Sequence, residues 1–185
     1  MKLSKKYLCC FLAAMMFCII VSGGCGGGSS SNNSTNNSRN VSYTALEGKW
    51  IGSNGSGTGK NEKYTNGQTI PVTVELVEYS ISNIQYDESS GTGTAELSLK
   101  EVVTNSEYNF RTNRDWQGGF DTFEMKSAGK NSWNFSLTYD DGAESITFTL
   151  ESENKGVMKN VGTMWNEDDV SDKNTYDITC DVTKQ

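Results

Sequence analysis

The 185 residues include five cysteines, 23 aspartates and glutamates, and no histidine. Without an imidazole the chain has no Ser-His-Asp or Cys-His nucleophile, no HExxH zinc site and no histidine proton shuttle. What remains for chemistry is thiols, carboxylates and aromatic rings. Cys9, Cys10, Cys18 and Cys25 fall in the first 25 residues, and Cys180 stands alone near the end. A CxxC redox centre, a cysteine-rich zinc site and an internal disulfide in the later part are thereby excluded. Glu167, Asp168, Asp169 and Asp172 crowd one short stretch, but the glycine and distal glutamate of an EF-hand loop are missing, and a solvated acidic loop is the expected reading. Carboxylate pairs for glycoside hydrolysis cannot be picked from sequence because their separation is a distance in space. No phosphate loop, nucleophile elbow or dinucleotide fingerprint is present. No catalytic residue, cofactor or metal ligand is therefore assigned, and a non-enzymatic role is expected.

The elements around these residues begin with an address. Lys2, Lys5 and Lys6 precede an uninterrupted apolar run of 14 residues from Leu8 to Val21. That run is short for a spanning helix, which needs ~20 residues, and reads as the apolar region of a secretory signal peptide. It ends in Ser22-Gly23-Gly24-Cys25. This small-residue run into a cysteine resembles the lipobox of bacterial lipoproteins, with Ser22 at the position usually filled by leucine. The resemblance implies cleavage before Cys25, acyl chains including palmitate on that cysteine, and attachment to a membrane of the cell envelope. Gly26 stands where some lipoproteins have the aspartate that retains them in the inner membrane, so the outer membrane is the expected destination. Residues 25–40 then form the lipidated cysteine and a Gly/Ser/Asn tether with nothing apolar to bury.

Cleavage removes residues 1–24 with three lysines and no acids, leaving 13 Lys and Arg against 23 Asp and Glu, a net charge of -10. That balance argues against nucleic acid, whose binding rests on clustered cations. It equally disfavours an electrostatic grip on anionic lipid, leaving the acyl chains to hold the membrane.

Residues 41–185 are expected to form one domain, a monomer, with a period of two almost throughout. Trp133, Phe135, Leu137 and Tyr139 alternate with polar residues, Asp140-Asp141-Gly142 supplies a turn, and Ile146, Phe148 and Leu150 resume the alternation. Val72, Val74 and Leu76 share a face before the pattern slips at Leu76-Val77, as a bulge would make it do. Strands are expected at 46–53, 70–82, 92–103, 106–112, 119–127, 132–139, 144–152, 156–165 and 174–184, with no convincing helix. Eight or nine antiparallel strands must close into a barrel or pack as a β-sandwich. The first of them contains Gly48-Lys49-Trp50. A Gly-x-Trp in the opening strand resembles lipocalin-like barrels, and this implies a single antiparallel up-and-down β-barrel of about eight strands with the Trp plugging one end. Lys155, Lys159, Lys173 and Lys184 occupy the terminal strands where the classical family places an arginine over that Trp.

The resemblance implies a binding module for a small hydrophobic or amphipathic ligand inside the barrel, lined by Tyr79, Trp133, Phe135, Tyr139 and Phe148. The same rings are what a filled core requires. A filled barrel would instead be an envelope structural or interaction protein that meets protein or glycan through loops or strand edges. Trp116, in a polar Gly-containing segment, and Trp165, before the acidic stretch, suit stacking on a ligand or folding back over a barrel end.

Overall fold

The computed structural model describes residues 40–116, 118–139, 142–166 and 169–185, without the side chains of 139, 164–166 and 169–172. The signal peptide, the lipobox and the tether up to residue 39 lie outside them. A single-turn 3-10 helix, Tyr43–Leu46, opens the described chain. The strands that follow are β1 (Gly48–Gly52), β2 (Gly55–Asn61), β3 (Thr69–Asp87), β4 (Thr92–Asn105), β5 (Phe110–Asp115), β6 (Asp121–Gly129), β7 (Ser132–Tyr139), β8 (Gly142–Ser152), β9 (Lys155–Asn166) and β10 (Asp169–Lys184). One helical turn, α1 (Glu62–Thr65), stands between β2 and β3.

These ten strands make one antiparallel sheet that closes on itself. Two of its wall positions are each built from two strands. β1 and β2 both pair with β3 and with β10, meeting them at successive registers. β5 and β6 both pair with β4, β5 over Lys100–Asn105 and β6 over Thr92–Leu97. The wall therefore has eight positions, β1/β2, β3, β4, β5/β6, β7, β8, β9 and β10, in the up-and-down order expected of this barrel.

Alternation explains most of the wall. Along β8 the buried residues Glu144, Ile146, Phe148 and Leu150 interleave with outward Ser145, Thr147 and Thr149. β2 was missed by that logic, since its inward positions are Gly55, Gly57, Gly59 and Asn61 rather than apolar residues. At Gly59 a methyl group would stand 2.9 Å from Val72 and 3.0 Å from the ring of Phe110, so Phe110 occupies the volume a side chain would have taken. The slip in β3 falls between Val74 and Leu76, with Leu76 half-buried rather than on the Val72–Val74 face. α1 is too short to leave a helical period; Asn61 Oδ1 caps it, accepting from the amides of Lys63 at 2.7 Å and Tyr64 at 2.9 Å. Asparagines at 54, 66, 109 and 131 take the left-handed conformation at the bends between elements.

One end of the barrel is shut by the 3-10 helix. Trp50 is fully buried there and its indole N–H donates to the Leu46 carbonyl at 2.7 Å. Of the four lysines noted above, Lys184 lies over Trp50, its Nζ 5.9 Å from the ring centroid and 3.0 Å from the Ala45 carbonyl that accepts from it. Tyr43 packs on Tyr86 beside it, with ring centroids 4.9 Å apart.

Candidate functional site

Towards the other end, six strands send inward Tyr79 (β3), Glu101 (β4), Arg114 (β5), Glu144 (β8), Asn160 (β9) and Tyr176 (β10). Each stands at a position where alternation would place an apolar side chain. Arg114 donates in parallel to both oxygens of Glu144, Nη1 to Oε1 at 2.6 Å and Nη2 to Oε2 at 2.5 Å, and its Nη1 also reaches the Tyr176 hydroxyl. Glu101 accepts from the Tyr79 hydroxyl and from Asn160 Nδ2 at 2.7 Å. Asn160 Nδ2 lies 2.9 Å from Glu144 Oε1 and 3.1 Å from the Tyr79 oxygen. Glu101 is 1 %, Glu144 2 % and Arg114 8 % exposed.

Burial pushes the Glu101 carboxyl above the usual range; the Arg114 charge opposes this and the Glu144 charge adds to it. Burial likewise pushes the Tyr79 phenol well up, reinforced by Glu101 and Glu144, and does the same for Tyr176, reinforced by Glu101. For Arg114 burial works against the charge, yet the Glu144 hydrogen bond and the neighbouring negative groups hold its pKa above the ordinary arginine value.

A layer of rings lies next to this cluster. The Tyr79 and Phe148 rings meet edge to face with centroids 5.5 Å apart, and Phe148 touches Phe135 and Trp50 at 6.0 Å each. With eight wall positions, β3 and β8 are diametrically opposed, as are β4 and β9, and β5 and β10. The contacts Tyr79–Phe148, Glu101–Asn160 and Arg114–Tyr176 thus cross the interior along three diameters. Of the five aromatic residues singled out from sequence, Tyr79, Phe135 and Phe148 are brought together, Trp133 is buried in the same core, and the Tyr139 side chain lies outside the described residues. The side chain of Trp165 and most of the acidic stretch Glu167–Asp172 lie outside them too.

Trp116 folds back over the core. Its ring stacks on Phe123 with centroids 6.1 Å apart, and the Arg114 guanidinium sits 5.5 Å from its ring centroid. It occupies the break between β5 and β6, where the wall changes. Among the described pairings β6 runs beside both β4 and β7, whereas β5 pairs with β4 alone. The ladder between β6 and β7 stops at Glu124↔Ser136, and β7 continues to Tyr139 with β8 as its one described partner there. Among the described pairings the far edge of β5 forms no ladder, and neither do residues 137–139 with Asp121–Phe123, which the β6–β7 register places opposite them, so the described wall is split at this place. Partly buried Leu137 and Trp116 stand at the split, and Phe120 in the connecting loop is 49 % exposed.

Sequence reasoning missed both features. Glu101, Arg114, Glu144 and Asn160 were hidden among the many charged and polar residues; the available signal was that each falls in phase with buried apolar neighbours, Leu97 and Leu99 before Glu101, Phe110 before Arg114, Ile146 after Glu144 and Met158 before Asn160. The two carboxyls form a buried pair bridged by Asn160 Nδ2, which lies 2.7 Å from Glu101 Oε1 and 2.9 Å from Glu144 Oε1.

No family model matches the chain, and no curated relative matches it. Two solved structures are similar to it in part. An S-type phycobiliprotein lyase, CPES, from Guillardia theta shares 10 % identity over 77 % of this chain and 90 % of its own, with a TM-score of 0.39. A redesigned β-barrel, mFAP1, bound to DFHBI, shares 14 % identity over 77 % of this chain and 96 % of its own, with a TM-score of 0.36.

Proposed function

We propose that the chain is an exported bacterial lipoprotein, cleaved before Cys25 and held to the envelope membrane, preferably the outer one, by acyl chains on that cysteine. Residues 25–40 serve as its tether and residues 41–185 as a non-catalytic binding module. The basic start, the apolar run and Ser22-Gly23-Gly24-Cys25 support the anchoring. The barrel binds through its wall and not through a cavity, and its partner is an extended segment of another envelope protein. The observation that carries this is the far edge of β5, which forms no ladder among the described pairings although the rest of the described wall is closed. Strand edges present amides and carbonyls that an added strand satisfies, which is a recurrent mode of peptide recognition. The contacts that cross the interior support the same choice, because a small hydrophobic ligand inside would have to part Tyr79, Phe135 and Phe148. The acidic excess after cleavage favours a segment with basic residues.

The test uses the full chain in a bacterial host. Cys25→Ala is expected to abolish incorporation of labelled palmitate and to release the protein from the membrane fraction; retention of both would overturn the anchoring. A photo-crosslinking residue at Asn113 on β5 is expected to give a discrete protein adduct that the same residue at Thr149 on β8 does not. Adducts of equal yield at both positions, or none at Asn113, would overturn binding at the split.

A further inference from the structure

The interior cluster is short of hydrogen. Facing Glu101 are Tyr79 from β3, Arg114 from β5, Glu144 from β8, Asn160 from β9 and Tyr176 from β10, and Arg114 is the one cation among them. That cation is engaged in parallel bonds to Glu144, and its nearest approach to Glu101 is 3.5 Å. With both carboxyls ionised, the cluster would hold an uncompensated negative charge out of reach of water, an expensive arrangement. Its donors are equally stretched. Asn160 Nδ2 has two hydrogens for three acceptors within 3.1 Å, the Tyr79 oxygen, Glu101 Oε1 and Glu144 Oε1. Asn160 Oδ1, fully buried, has no hydrogen-bond partner among the described residues. One additional proton on Glu101 corrects the charge and adds a donor to a cluster whose acceptors outnumber its hydrogens.

We propose that Glu101 is a proton-binding site of the folded barrel that keeps its proton at pH values where the other glutamates have lost theirs, and that release of this proton loosens the wall at β5. The balance is simple: the carboxyl O–H bond breaks, the proton goes to solvent, and a second carboxylate is left beside Glu144. β5 is the element that yields, since β4 is its one partner among the described pairings and its Arg114 is bonded inside this cluster. Desolvation of Glu101 acts in the same direction. A carboxyl whose folded pKa is raised above its unfolded value of ~4.3 adds stability that is complete below the unfolded pKa and is lost as pH rises through the folded one. This inference does not depend on the lipid anchor or on the partner strand.

The experiment is a carboxyl-carbon NMR titration of the full chain labelled at glutamate, from about pH 3 to about pH 9, a range that brackets the ordinary glutamate pKa. One glutamate is expected to titrate at least ~1 pH unit above the others, beyond the usual spread for this residue type. The outlying step is expected to vanish in Glu101→Gln, and amide exchange across β5 to quicken over the same pH interval in the wild type. Titration of every glutamate together, or survival of the outlying step in Glu101→Gln, would overturn the proposal. Should Glu101→Gln fail to fold, Tyr79→Phe, which removes a donor to the ionised form, is expected to move the outlying midpoint further up; an unmoved midpoint would overturn the assignment.

Discussion

Arg114 and Glu144, on β5 and β8, meet in the barrel interior through two parallel N–H···O bonds of 2.6 and 2.5 Å. The wall strands that present them are not neighbours, so the pair ties β5 to β8, two wall positions away, on the side where β5 has no ladder among the described pairings. Removing Arg114 takes from buried Glu144 the cation it is bonded to, and removing Glu144 leaves Arg114 with only the longer 3.5 Å carboxylate contact, to Glu101. Arg114→Leu or Glu144→Leu alone is expected to destabilise by ~3–5 kcal/mol, and the double variant by clearly less than either. Urea denaturation of the four proteins checks this. Single-variant losses no larger than the ~0–1 kcal/mol of an exposed pair such as Lys126–Glu124 would contradict it.

The ring contact across the barrel gives a second expectation. Phe148 touches Tyr79, Phe135 and Trp50 and is fully buried. Phe148→Ala is expected to cost ~3–5 kcal/mol, and Phe148→Leu markedly less because it refills most of the volume. Thermal denaturation distinguishes this from a ring lining an open space, whose truncation would leave the melting temperature nearly unchanged.

Gly162 is tied to the polar cluster by lack of room. A methyl group there would lie 2.8 Å from the Tyr176 hydroxyl oxygen and 2.9 Å from its Cζ. Gly162→Ala is expected to destabilise by ~1–3 kcal/mol through overpacking. Tyr176→Phe in the same chain removes the nearest atom and is expected to recover part of the loss, a coupling that a double-mutant cycle measures.

Much of the barrel was legible because a wall with one apolar face writes itself as a period of two. β7 is a case in point, with Trp133 and Phe135 inward and Asn134 and Ser136 between them. The exceptions share one cause: inward positions filled by something other than an apolar side chain. At β2 they are glycines whose volume Phe110 takes, and in the cluster they are charged and amide groups satisfied only by residues far away in sequence, 59 positions apart for Glu101 and Asn160. Pairing at that separation has no local pattern. The split beside β5 was hidden for the complementary reason, since Phe110, Thr112 and Arg114 alternate like any wall strand and alternation does not say which edges are paired.

Cys180 supplies a chemical prediction. The thiol is buried, with Sγ 3.4 Å from the Ser53 carbonyl, and burial together with the Asp181 charge pushes its pKa above the ordinary thiol value. The thiolate is the reactive form, so both its scarcity and its burial protect it. Alkylation of the native protein near pH 8 is expected to spare Cys180, with full modification after denaturation; rapid native labelling, read by peptide mass, would contradict its place in the wall.

The central claim is that this barrel is filled and binds through its wall. Native mass spectrometry of the full chain, purified gently from a bacterial host and released from detergent in the instrument, tests it most directly. The account predicts the lipidated chain with no further small-molecule mass, and no rise in melting temperature across a panel of lipids and amphiphiles. A reproducible bound mass that leaves on denaturation, accompanied by such a rise, would contradict it and make the interior between Tyr79, Phe135 and Phe148 a ligand chamber.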